Sequence, residues 1–167
     1  DQRHGQIIGG GMAVLAMGKL GSRELTGESD LDLIFVYDYP DPDAISDGAR
    51  ALPAQQYFSR LSQRLINALT VPTAEGKLYE VDMRLRPSGN SGPVATRFVG
   101  FGDYQRNEAW TWEHMALTRA RVIAGEGRLV DRVEGVIADV LARPRDRAAV
   151  ARDVSEMRQR LVKEAGQ

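Results

Sequence analysis

The stretch Gly27–Asp38, "GESDLDLIFVYD", decides how the chain folds and contains an apparent contradiction. Leu33-Ile34-Phe35-Val36-Tyr37 is a short, unbroken apolar run, the pattern of a buried strand. Asp30 and Asp32 stand at its head. Residues i and i+2 of a strand project to the same side, so the two carboxylates point together. At a separation of about 5 Å and an effective dielectric of about 20, they repel by roughly 3 kcal/mol. Something cationic must offset this. A divalent cation such as Mg²⁺ does so directly, because it takes carboxylate oxygens together with substrate phosphates. The alternative is structural, with Asp30 capping a neighbouring backbone and Asp32 paired with an arginine.

Upstream of the pair, Met12–Met17 ("MAVLAM") suits a second buried strand, and Gly18 breaks it. Gly18-Lys19 then opens "GKLGSRELTGES", a loop or a single helical turn. Bare backbone there can approach a phosphate, and Lys19 can add a charge. Downstream, "DYPDPDAISDG" is turn chemistry, and residues from Pro53 to Leu69 carry apolar side chains at helical spacing.

After the loop "TVPTAEGK", "YEVDMRLR" alternates, with Tyr79, Val81, Met83 and Leu85 on one face and Glu80, Asp82, Arg84 and Arg86 on the other. Asp82 is thus a third candidate carboxylate. Two metals bridging three carboxylates support in-line phosphoryl chemistry, with Arg84 and Arg86 as phosphate clamps. Salt bridges to Asp82 and Glu80 are the competing role for the arginines.

"PSGNSGP" reads as a second glycine loop and Asn107–Ile123 as a helix, with Trp110 and Trp112 expected in the core and His114 on the surface or packed. Arg119 and Arg121 are expected on a solvated or ion-paired face. Leu129 to Leu141 and Val150 to Leu161 mark two more amphipathic helices, separated at Pro144.

The 167 residues have ordinary globular composition, and 22 Lys plus Arg against 23 Asp plus Glu leave a net charge of −1. No global field draws the chain to nucleic acid or an anionic membrane. With no cysteine and only His4 and His114, a zinc site is not expected. No apolar run reaches the roughly 20 residues of a membrane span, so a cytoplasmic protein is expected. The chain lacks an initiator Met and stops in a helical pattern, so a piece of something longer is expected.

Two familiar phosphate loops fail. A Walker loop needs Gly where Ala13 stands and Ser or Thr where Leu20 stands, and the "GGG" at 9–11 precedes the first strand rather than following it.

A Gly-Lys turn, Asp-x-Asp twelve residues after the Gly, and an acidic residue on a later strand resemble the nucleotidyltransferase superfamily that includes DNA polymerase beta. The strings "MGKLGSRELTGESDLDLIFVYD", "LYEVDMRLRPSGNSGP" and "YQRNEAWTWEHMALTRARVIAG" resemble the glutamine synthetase adenylyltransferase family, over about Gly11 to Gly125. That family carries two related domains. One adds AMP from ATP to a tyrosine of glutamine synthetase, and the other removes it by phosphorolysis, releasing ADP.

"NEAWTWEHMALTRARV" is closer to the adenylylating copy. The resemblance implies Asp30, Asp32 and Asp82 as catalytic metal ligands for Mg²⁺ in a two-metal site. Gly18, Lys19, Ser29, Arg84 and Arg86 would bind ATP, although Lys19 departs from the small residue usual in the superfamily turn. It further implies glutamine synthetase as protein substrate and the PII signal protein as partner of the longer enzyme.

The fold expected is α/β (α+β), a small mixed sheet flanked by helices. Residues 1–125 form the nucleotidyltransferase catalytic domain and 126–167 a helical extension. The rival readings are the deadenylylating copy and a non-catalytic nucleotide-binding module.

Overall fold

The computed structural model describes residues 3–74, 76–77, 79–125 and 127–165; the side chain of Leu161 and residue Glu126, where the helical extension was expected to start, lie outside these. The two strands expected from the apolar runs form as β1 (Gly11–Ala16) and β2 (Leu31–Asp38), paired antiparallel with Leu15 opposite Ile34. Between them the glycine-containing segment makes one helical turn, α1 (Gly18–Gly21). The helix expected over Pro53–Leu69 is α2 (Ala54–Thr70), started by Pro53.

The sheet is mixed. β3 (Val81–Asp82) and β4 (Ala95–Arg97) both run parallel to β2 along its free edge, β3 at the start of the strand and β4 near its end. On the other side β1 pairs antiparallel with β5 (Arg121–Ala124) through an irregularity at Val14/Leu15.

The unbroken apolar run of β2 follows from its central position, because both of its faces are covered. Leu31, Leu33, Phe35 and Tyr37 point toward α2 and pack with Phe58 and Ala54, with Tyr37 and Phe58 stacked at 4.8 Å between ring centroids. Ile34 and Val36 point to the opposite face, where Phe101 and the buried side of α5 (Gly127–Ala142) close over them through Leu129, Val133, Val136, Ile137 and Val140. Residues beyond 126 therefore complete the core that begins at β1. α6 (Arg147–Ala165) lies against the short helix α4 (Thr111–Leu117), with the Thr111 hydroxyl donating to Asp153. Among the described residues no helix is long and apolar enough to cross a membrane.

Two expected elements differ. The alternation of 79–86 does not make a long strand, because β3 ends at Asp82. The Asp82 side chain itself ends it, since Oδ1 accepts the backbone N–H of Arg84 at 2.8 Å and turns the chain. Tyr79, Val81 and Met83 share a face as expected and pack toward α2, but Leu85, carried past the turn, packs on the other core.

The expected single helix over 107–123 is instead the end of α3 (Phe98–Asn107), then α4, then β5. Apolar residues in "RVIA" suit either element at that length, and pairing with β1 decides for the strand.

Candidate active site

β2 begins where β1 ends, and this junction brings the acidic residues together. Leu31 and Asp32 are register partners of Val81 and Asp82. Asp32 falls on the even-numbered face of β2, with Ile34 and Val36, at the point where the covering side chains give out and solvent begins. Asp30 lies one residue before the strand and is exposed.

Burial pushes the Asp32 carboxyl above its usual range, the charges of Asp82 and Asp30 push it further, and Arg84 offsets part of this. Asp32 therefore senses both of the other carboxylates. Asp82 moves the other way: the hydrogen bond from the Arg84 side chain holds it below the ordinary carboxylate range. Nε of Arg84 donates to Asp82 Oδ2 at 2.7 Å.

Gly18 sits against this cluster. Its φ of +50° is in the left-handed region, and a Cβ there would overlap Oδ2 of Asp32. Met17 N–H donates to the Asp32 carbonyl at 2.9 Å, so the end of β1, the turn and the start of β2 form one rigid corner. The Lys19 side chain extends into solvent from that corner, its ammonium without a partner among the described residues. Ser29 is buried and committed to its own turn, with its hydroxyl accepting from Thr26 N–H at 3.1 Å. Arg86 does not share a strand face with Asp82. Its guanidinium donates to the carbonyls of Met83 (2.8 Å), Gly92 (3.3 Å) and Asn90 (3.4 Å), closing the glycine loop around itself.

The donor set suits a hard divalent cation, since all three groups are carboxylates. Among the described residues no group of three or more acidic or histidine side chains already stands at ligand spacing. Asp82 is engaged by Arg84, whose side chain donates to Oδ2 and whose backbone N–H donates to Oδ1. A cation binding all three must draw Asp82 away from it.

Tyr104 joins α3 to α4: its hydroxyl donates to Glu113 Oε1 at 2.7 Å, while Glu113 Oε2 accepts Trp110 N–H at 2.9 Å. Burial, then the bond to Glu113, push the Tyr104 phenol up to about 12.

The expected core positions of Trp110 and Trp112 are not realised: they are 69% and 41% exposed. α4 buries the face of Glu113 and Leu117 instead. His114 is packed, as expected, with Nε2 at 2.8 Å from the Gln105 carbonyl. Arg119 is exposed. Arg121, expected on a solvated or ion-paired face, instead reaches the carbonyls of Leu20 and Gly21 at 3.1 and 3.2 Å. Its position at the head of the three-residue apolar run Val122–Ala124, ended by Gly125, is the only signal in the sequence, and reading that run as a strand beside β1 would have brought Arg121 to the turn.

A family model described as glutamate-ammonia ligase adenylyltransferase matches residues 2–136, which include every residue of this site. The chain belongs to the glutamate-ammonia ligase adenylyltransferase family. Among the curated proteins it is similar to the bifunctional glutamine synthetase adenylyltransferase/adenylyl-removing enzyme of Brucella suis biovar 1 (strain 1330), 60% identical over 164 residues, covering 98% of this chain and 17% of the relative. The proteins of the same description from Rhizobium meliloti (strain 1021) and Xanthobacter autotrophicus (strain ATCC BAA-1158 / Py2) are 58% and 59% identical over 96% and 99% of the chain, and 16% and 17% of their own lengths. The chain thus spans about one sixth of the length of these relatives. Within the glutamate-ammonia ligase adenylyltransferase family, the mixed sheet with its acidic corner agrees with the nucleotidyltransferase fold expected from the sequence.

Proposed function

We propose that this chain is the adenylylating unit of a glutamine synthetase adenylyltransferase, transferring AMP from ATP to a tyrosine hydroxyl of glutamine synthetase and releasing pyrophosphate. The observation that carries this reading is the register of β2 and β3, which sets Asp82 opposite Asp32 beside Asp30 while Gly18 leaves the Asp32 carboxylate uncovered. The wording of Asn107–Val122 favours the adenylylating over the removing direction.

Asp30, Asp32 and Asp82 would hold Mg²⁺, which when bound neutralises phosphate charge and acidifies a nearby hydroxyl. The raised Asp32 pKa is what such a cation would relieve, because the carboxylate is destabilised by burial and by its acidic neighbours. Lys19 supplies an unpaired ammonium at the corner for the polyphosphate. Arg84, once released from Asp82, supplies a second cation at the site.

The tyrosine oxygen attacks the α-phosphorus. The new O–P bond forms as the bond from the α-phosphorus to the bridging oxygen breaks, and that oxygen leaves with pyrophosphate. Asp82 is the candidate to accept the phenolic proton, whose loss the bound cation would ease. A phenol, with a pKa of about 10, gives up that proton far more readily than an aliphatic hydroxyl.

The test uses labelled ATP with unmodified glutamine synthetase and Mg²⁺, and separately adenylylated glutamine synthetase with phosphate, each with the wild type and Asp32→Asn. Label transfer to the target by the wild type alone is expected. ADP release confined to the second reaction would assign the chain to the removing direction instead.

A further inference from the structure

We propose that Arg121 is a positioning residue for the nucleotide site, bracing the α1 turn from behind so that Gly18 stays against Asp32. The inference rests on the reading of that corner as the nucleotide site, and it concerns a residue that touches none of the three carboxylates.

α1 is a single turn, too short to satisfy its own ends. The carbonyls of Gly18 and Lys19 accept the backbone N–H groups of Ser22 (3.1 Å) and Glu24 (2.8 Å). Leu20 has only a long bond from Arg23 N–H at 3.3 Å, and buried Gly21 has no backbone donor among the described residues. Arg121 supplies both remaining donors, Nη2 to Leu20 and Nε to Gly21, across 101 and 100 residues of sequence. The planar guanidinium suits this two-point grip, and the charge strengthens each bond.

The brace is anchored at its base. Arg121 is the register partner of Ala16, the last residue of β1, so its backbone is fixed to the same strand that leads into the turn. The turn is also seated closely against this support. A Cβ at Gly21 would overlap the backbone oxygen of Arg119 and lie 2.7 Å from that of Ala16, leaving the turn no room to settle further toward β5. On its other side Gly18 touches Asp32. The turn is therefore held between Arg119–Arg121 and Asp32, and loosening the rear support lets the glycine backbone shift relative to the carboxylate it faces.

Equilibrium binding of a non-hydrolysable Mg·ATP analogue, measured by calorimetry on the wild type, Asp32→Asn, Arg121→Gln and Arg121→Lys, tests this. Loss of folded protein lowers the number of binding-competent molecules and leaves Kd unchanged, whereas a displaced turn raises Kd at unchanged stoichiometry. The expected order is wild type, then Arg121→Lys weaker by about threefold, since it keeps the charge without the fork, then Arg121→Gln weaker by about tenfold. Ethylguanidinium added to Arg121→Gln is expected to recover part of the affinity. A wild-type Kd in Arg121→Gln, with binding lost in Asp32→Asn, overturns the role of Arg121 alone. Undiminished binding in Asp32→Asn overturns the site reading and this proposal with it. Should Arg121→Gln fail to fold, a wild-type Kd in Arg121→Lys overturns the proposal.

Discussion

Asp82 stands opposite Asp32 in the parallel pairing of β2 and β3, and the two have shifted in opposite directions: burial and like charge raise Asp32, while Arg84 lowers Asp82. The same Asp82 side chain also ends β3 by accepting the Arg84 N–H. It is therefore a structural residue and a candidate ligand at once, and the two duties separate by choice of substitution.

Asparagine at position 82 keeps an Oδ1 that can accept the Arg84 N–H but loses the carboxylate charge. Asp82→Asn is expected to leave thermal unfolding nearly unchanged while lowering nucleotidyl transfer on the order of 10²-fold or more, typical of removing a group that stabilises developing charge. Asp82→Ala is expected to lower both. Full activity in the asparagine variant would remove Asp82 from the chemistry.

At Gly18 the conformation and the neighbour act together. Gly18→Ala forces a side chain into the left-handed region, costing about 1–2 kcal/mol, and drives its Cβ into Oδ2 of Asp32. A moderate drop in unfolding free energy together with a large loss of Mg·ATP binding is expected, read by denaturant titration and calorimetry. Unaltered nucleotide binding would mean that Asp32 has room the structure does not give it.

Tyr104 predicts an alkaline limit to stability. Its folded-state pKa is raised from 10.0 to about 12, so the neutral phenol is the form the fold favours. This contribution is fully present below pH 10 and is lost as pH climbs through about 12. Stability followed by chemical denaturation should fall across that window and fall less in Tyr104→Phe. A wild-type slope in the phenylalanine variant would assign the loss to other groups.

Phe35 has no exposed surface and lies in the central strand, so Phe35→Ala should cost about 3–5 kcal/mol. Trp110, 69% exposed, provides the contrast: Trp110→Ala should stay within about 0.5 kcal/mol. Urea midpoints of the two variants give the comparison, and equal losses would contradict the burial of β2.

The features legible in the sequence were those that rest on local pattern. The apolar run after Asp32 gave β2 because burial on both faces leaves no other composition, and the spacing of Tyr57 to Leu69 gave α2 because one face of a helix must meet the core. The carboxylate cluster was legible for the same reason, as two charges at the head of an apolar strand leave few physical roles. What escaped depended on partners distant in sequence. β5 is too short to declare its period and becomes a strand only because β1 offers an edge, and Arg121 could not be linked to Leu20 without that pairing. Arg86 was misplaced because alternation was extended through a turn that Asp82 itself creates, whereas Arg84 takes the competing role of pairing with Asp82.

The burial of β2 on both faces has a kinetic consequence. Asp32 sits at the head of a strand locked between two cores, and the interior amides of that strand belong to the part of the molecule that opens only with global unfolding. Asp82 sits on a two-residue strand followed by the loop that Arg86 holds with a few hydrogen bonds, a segment that can open locally at small cost. The site thus joins a slow wall to a fast one. Hydrogen exchange should separate the interior amides of β2 from the segment after Asp82 by orders of magnitude in rate.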